Sequence, residues 1–312
     1  MRSYNLVLLL LILGFFMNSC EEEFIPAESV YDKELVIESY IEKSDASIPV
    51  YAILTYSLPF YSSFNIDVIN NSYVKDAEVS IFDGKNRYAL PQLCLNDIQE
   101  PLRSDLIKNF GYNPDSFKTD LCIYVDLANS IPIEAGTSYE LRAITKEDTL
   151  YSTTHIPDLV PIDSFWFDKP AGKNANDTFA QLFCIISDIP NQKDYYRYFT
   201  AGQNERLIPN VTSVTDDVFF DGQKFKFTLS EAISRDEDFG DNSGLFRRGD
   251  TVLIKWCNIP QSHFDFWNTL ETSATRQGPF ASYVRIKGNI EGGLGIFGGQ
   301  NCKNYTLYVP KK

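Results

Sequence analysis

Histidine and methionine are almost missing from this chain of 312 residues, with two of each. Both methionines, Met1 and Met17, precede residue 20, so no thioether is left downstream to serve a copper site. His155 and His263 stand far apart, and neither has cysteines or carboxylates at ligand spacing. That excludes a histidine-rich metal site and the usual zinc fingerprint. No Gly-x-Ser-x-Gly elbow occurs, and no nucleophile and acid can be assigned around either histidine. Carboxylates are so plentiful that no two of them stand out as a glycosidase pair. The sequence therefore points away from an enzyme and from any cofactor. Basic residues are also scarce, 28 Lys and Arg against 42 Asp and Glu, for a net charge of −14. Such a balance disfavours nucleic acid and direct adsorption to an anionic membrane. Beyond residue 20 no apolar run is long enough to cross a bilayer, and no repeat or low-complexity tract is visible.

What is present begins at the N-terminus. Residues 6–16 form an apolar core behind Arg2, the length of a signal-peptide h-region and short for a membrane span. Asn18 and Ser19 lead into Cys20, and Met17-Asn18-Ser19-Cys20 resembles the loose lipobox of Bacteroidota lipoproteins. Residues 1–19 read as a lipoprotein-type signal peptide, Cys20 as the lipid-bearing N-terminus, and 20–32 as a tether. Several acyl chains together anchor stably where one does not. Glu21, Glu22 and Glu23 follow at once. An acidic triplet cannot enter an anionic headgroup layer cheaply, so it holds the chain off the membrane. It also resembles the signal that sends such lipoproteins to the outer face of the outer membrane.

The rest of the chain is rich in short alternating runs. Strands are expected at 34–41, 50–56, 77–82, 87–90, 136–144 and 149–155, with an Asp83-Gly84 hairpin turn and a short helix from Ser104 to about residue 110. Tyr139, Leu141 and Ala143 fall on one face of their strand. This pattern predicts an all-β fold whose domain at 33–156 is a β-sandwich of immunoglobulin-like or transthyretin-like type. A true immunoglobulin domain is disfavoured, because the Cys…Trp…Cys pattern is missing. Pro157 and Pro161 mark a linker. Residues 162–312 read as a second β-rich domain with one helix at 261–276, capped by Ser262 and with Phe266, Trp267 and Leu270 on its apolar face.

Five cysteines remain after Cys20, and outside the cytoplasm disulfides are permitted. Cys94 and Cys122 share one half. In the other, Cys257 and Cys302 sit near strand ends, whereas Cys184 lies inside an apolar run and reads as a buried thiol. Spacing alone leaves other connectivities open. Asp236, Asp238 and Asp241 offer oxygens for calcium but lack the EF-hand spacing, and a solvated hairpin tip is the plainer reading. The segment 289–299 is the most distinctive. Asn289, Gly292, Gly293 and Gly295 there suit positive φ and close backbone approach, with Leu294, Ile296 and Phe297 packing. It opens no helix and has no P-loop ending. The tyrosine-rich stretches 51–61 and 195–198 supply contact area for a partner, or belong to the core.

Asn289-Ile-Glu-Gly-Gly-Leu-Gly-Ile-Phe297 resembles the closing motif of a Bacteroidota outer-membrane lipoprotein family catalogued as domain of unknown function 4249. Residues 34–38, 74–83, 136–141 and Ile156-Pro157 resemble its first half in order. Asp194-Tyr-Tyr-Arg197, Asp216-Asp217, Asp221-Gly222 and Gly249-Asp250 resemble its second. Gly288 departs from the serine usual before Asn-Ile. The resemblance carries no catalytic residues. It implies a surface lipoprotein that accompanies a TonB-dependent outer-membrane receptor-transporter and helps capture a ligand. A stand-alone surface adhesin or structural envelope lipoprotein is the rival expectation.

Overall fold

A computed structural model describes residues 32–46, 48–59, 65–109, 113–170, 178–202, 206–233, 240–275 and 284–311. Cys20 and Glu21 to Glu23 lie outside these residues. The first half contributes β1 (Leu35–Lys43), β2 (Tyr51–Tyr56), β3 (Glu78–Phe82), β4 (Arg87–Leu90), β5 (Gln92–Cys94), β6 (Cys122–Val125), β7 (Ser138–Ile144) and β8 (Thr149–His155). It also holds two short helices, α1 (Ile66–Ser72) and α2 (Leu102–Asn109). The second half contributes β9 (Ile162–Asp168), β10 (Phe179–Ser187), β11 (Tyr195–Gly202), β12 (Ile208–Asp216), β13 (Lys224–Leu229), β14 (Phe246–Arg247), β15 (Thr251–Ile259) and β16 (Leu294–Tyr308), with helix α3 (Gln261–Thr275). The fold is mainly β. Among the described residues no helix is long and apolar enough to cross a membrane.

One eight-stranded sheet organises the molecule, in the order β12-β11-β15-β16-β1-β2-β6-β5. It draws strands from both sides of the 157–161 segment. A sheet of order β4-β3-β7-β8 packs on it in the first half, and β13-β10-β14 with β9 packs on it in the second. Strands such as β1, β7, β8 and β10 alternate and bury one face, whereas β16 is buried on both faces from Ile296 to Cys302. Ile37, Ile41, Leu54, Ile81, Tyr124 and Leu141 fill the first core. Leu182, Ile186, Tyr196, Phe246, Ile254 and Trp256 fill the second. Fully burying one such side chain is worth about 1.5–3 kcal/mol. The proline segment is itself built in. Ile156 and Val160 are buried, Trp256 Nε1 donates to the Val160 carbonyl, and Asn258 Oδ1 accepts the Val160 N–H.

The two halves of the sheet join where β1 runs parallel to β16, from Val36 opposite Leu294 to Lys43 opposite Asn301. Parallel strands need a long crossover, and here nearly the whole chain is the crossover. The glycine segment thus continues as a strand rather than a loop. Gly295 has φ 118° opposite Ile37. Asn289 acts as a side-chain strand partner: its Oδ1 accepts from Phe297 N–H and its Nδ2 donates to the Phe297 carbonyl, both at 2.9 Å. Ile296 and Phe297 are fully buried, but Leu294 is exposed, so its expected packing role is not what the fold uses. At the turn into β16 its side chain falls outside the core layer.

The helix starts also differ in detail. α3 begins before Ser262, and the Pro260 carbonyl takes the N–H groups of His263 and Phe264. Ser104 lies inside α2, where the Glu100 carboxylate accepts its N–H and hydroxyl. Helix α1 was not expected; Asn65 caps it by accepting from Val68 N–H. Two disulfides, Cys94–Cys122 and Cys257–Cys302, each join directly opposed residues of antiparallel neighbours. They close separations of 28 and 45 residues, which restricts the unfolded chain. Replacing both cysteines of either pair by alanine is expected to lower stability by about 3–4 kcal/mol. Denaturant unfolding of the oxidised protein checks this, and no change in either double variant would refute it.

Candidate functional site

The two faces of the eight-stranded sheet have different fates. Ile37 and Ile41 of β1 point into the first core, so Glu38, Tyr40 and Glu42 point the other way. On that second face α3 covers part of the sheet, packing over β11, β12 and β16. The uncovered part is an open cleft of about 540 Å³. Its walls are Tyr51, Phe199, Pro49, Pro209, Ile48, Leu207 and Trp267, and its polar groups are Glu38, Tyr40, Glu42, Arg197, Arg206, Lys255 and Gln300.

Arg197 is the centre of this surface. It is 4% exposed. Its guanidinium lies 3.7 Å from the Trp267 ring centroid and 4.7 Å from that of Phe199. Its Nε donates to Ser213 Oγ at 3.2 Å, and Ser213 in turn gives its hydroxyl and N–H to Glu271 of α3. Burial pushes the Arg197 pKa down, against the pull of Tyr40 and Glu271. An arginine side chain stays protonated through such a shift at neutral pH. A part-buried ion pair stands beside it: Lys255 Nζ donates to Glu42 Oε2, which also accepts from Gln300 Nε2.

Below the cleft, His263 is completely buried. Its Nδ1 lies 3.0 Å from the Gly299 carbonyl. A carbonyl only accepts, so Nδ1 carries the proton and Nε2 is left as an acceptor. Burial, with the Arg197 charge second, pushes the imidazole pKa down to about 3. The ring fits because Gly298 has no side chain: a Cβ there would lie 2.9 Å from His263 and from Tyr40. The Tyr40 hydroxyl, Glu42 Oε1, His263 Nε2, Trp267 Nε1 and Gln300 Oε1 are all buried without a hydrogen bond of good geometry. Burial, then the Glu38 charge, raises the phenol of Tyr40, and pushes that of Tyr51 up to about 12. Each unmade hydrogen bond costs about 1–3 kcal/mol, a cost that water or polar ligand groups reaching the floor would relieve. Aromatic walls with fixed donors, acceptors and both signs of charge suit a polar ligand with an apolar face.

The residues singled out from the sequence lie elsewhere. Asn289 and Gly292 tie the entry to β16 to β8, and Gly293 and Gly295 lie close against the β1 backbone. Asp241 is exposed, and Asp236 and Asp238 lie outside the described residues. Cys184 is buried, and burial pushes its thiol up to about 12, which keeps it inert. His155 faces Ser138 across β7 and β8 at 3.3 Å on the exposed surface. Of the tyrosine-rich stretches, Tyr51 reaches the cleft and Tyr196 belongs to the second core. Arg197, Lys255, Glu42 and Gln300 were missed as site residues. The available signal was a charged or amide side chain inside an otherwise apolar strand, as in 195–200 and 251–259.

No curated protein matches this sequence. A family model described as a domain of unknown function (DUF4249) matches residues 21–306. That span covers both cores, the cleft and the β1–β16 junction, and the chain belongs to this family.

Proposed function

We propose that this chain is a lipid-anchored protein of the outer-membrane surface that captures a ligand for a TonB-dependent β-barrel transporter. The observation that carries this reading is the cleft, where a buried arginine between two aromatic rings and a part-buried Lys255–Glu42 pair line an open concavity. Tethering through Cys20 confines chain and barrel to one surface and raises their effective concentration. A weak interface between them then suffices, and the acidic triplet Glu21 to Glu23 directs the body outward.

The test is made in cells. Cys20→Ala is expected to release the protein from the membrane fraction completely, and changing Glu21, Glu22 and Glu23 to alanine is expected to keep lipidation but lower protease accessibility on whole cells. Crosslinking should capture a large outer-membrane β-barrel. The double variant Tyr51→Ala, Phe199→Ala should still reach the surface and crosslink, yet reduce uptake of the captured nutrient about tenfold, the scale of losing roughly 1.4 kcal/mol of binding. If crosslinking finds only self-contacts and deletion changes no uptake, the stand-alone adhesin replaces this reading.

A further inference from the structure

Away from the cleft, three acids meet at one end of the second core. Asp188 follows β10, Asp194 precedes β11 and Asp217 follows β12. They are 7%, 3% and 3% exposed, and one oxygen from each lies within 4.8 Å of the others. Among the described residues no lysine or arginine forms a salt bridge with any of them. Burial and the neighbouring carboxylates raise the pKa of Asp194, and burial, offset in part by the Asp194 N–H and reinforced by Asp188, raises that of Asp217. A cation is the natural counter-charge for carboxylates brought this close together away from water.

The hydrogen bonds leave room for a cation. Asp188 accepts from the Tyr196 hydroxyl at 2.5 Å and from Gly222 N–H at 2.9 Å. Asp217 Oδ2 accepts from Asp194 N–H at 2.7 Å, and Asp194 Oδ1 accepts from Gln192 Nε2 at 3.0 Å. Asp194 Oδ2 is buried and makes no hydrogen bond of good geometry. The Asn258 amide lies alongside, but its Nδ2 also makes no hydrogen bond of good geometry. A carboxylate has about four lone-pair positions, so each of the three retains unused ones.

We propose that Asp188, Asp194 and Asp217 form an enclosed site for a hard divalent cation, calcium first. Calcium sits about 2.3–2.6 Å from its oxygens, so oxygens up to roughly 5 Å apart can share one ion. The donors are all oxygen, with no nitrogen or sulfur ligand to favour a transition metal. The ion would join the ends of β10, β11 and β12 and offset the repulsion among their carboxylates.

The full chain, purified in detergent and freed of metal with a chelator, provides the test. Calcium chloride at about a hundredfold excess over its Kd is expected to raise the melting temperature by about 5–10 °C. Terbium chloride should give sensitised emission through Tyr196, whose hydroxyl bonds Asp188 and whose ring stacks on Trp256 at 4.9 Å, and calcium should compete it away. Asp194→Asn should weaken calcium at least tenfold while the metal-free variant melts no lower than the metal-free parent. Absence of both responses in the parent at millimolar calcium overturns the site. Unchanged calcium affinity in Asp194→Asn, with the ion held by other acids, also overturns it.

Discussion

Gly295→Ala is expected to lower stability by about 3 kcal/mol or more, and at 37 °C to leave little folded protein. Two independent penalties meet at this position. With φ 118° the backbone occupies a region that a residue with a Cβ rarely adopts. An added Cβ would also run into the Ile37 carbonyl, on the strand to which Gly295 is registered. That strand is β1, and Ile37 is completely buried, so neither side can give way without opening the first core. Gly84→Ala supplies the contrast. Its φ is 90°, but an added Cβ meets nothing within 4 Å. Only the backbone penalty applies there, about 1 kcal/mol. Urea unfolding of both variants measures the difference. Equal losses at the two positions, or a gain at Gly295, would show that the β1–β16 junction does not depend on close approach.

Acid should cost this protein stability through His263, by about 1.4 kcal/mol per pH unit below roughly pH 6. The buried ring is held at about 3, while in the unfolded chain it titrates near 6.5. Between those values the unfolded state binds a proton that the folded state refuses, so stability falls as pH falls. The contribution is neutral above about pH 6.5 and levels off below about pH 3, for a total of roughly 4–5 kcal/mol. Asp194 and Asp217, whose pKa values are raised, run the opposite way as they gain protons in the folded state. The difference between the parent and His263→Gln isolates the imidazole, because glutamine can still donate to the Gly299 carbonyl without titrating. Parallel stability–pH curves for the two proteins would refute the assignment. NMR of the folded parent gives a second measure: the His263 ring should remain neutral, with the proton on Nδ1 alone, at pH 4.5.

Much of the local structure was legible because alternation is a local property. Tyr139, Leu141 and Ala143 read as one buried face, and all three are buried. Asp83-Gly84 read as a turn, and β3 and β4 pair across it. The apolar run around Cys184 and the tyrosine-rich stretch 195–198 lie in β10 and β11. Glycine misled the reading where it mattered most. Gly295, Gly298 and Gly299 lower strand propensity, so 289–299 read as a glycine motif and not as a strand, although 294–299 open the longest strand described. The strand holds because β1 and β15 flank it on both sides, and each glycine leaves space for a backbone or ring that lies far away in sequence.

The chain by itself determined its mainly β character and the acidic, histidine-poor composition in which no familiar catalytic pattern stands out. Those follow from side-chain period, polarity and count. Only the tertiary structure decided that the first and last strands lie side by side, with Glu42 accepting from Gln300 across 258 residues. The pairing of β11 with β15, under α3, brings Arg197, Lys255 and Trp267 to one face, and the ends of β10, β11 and β12 bring Asp188, Asp194 and Asp217 together. None of these neighbours shares a local period. Each meeting depends on which sheet edge buries which apolar face, a choice made by the summed packing of the whole chain.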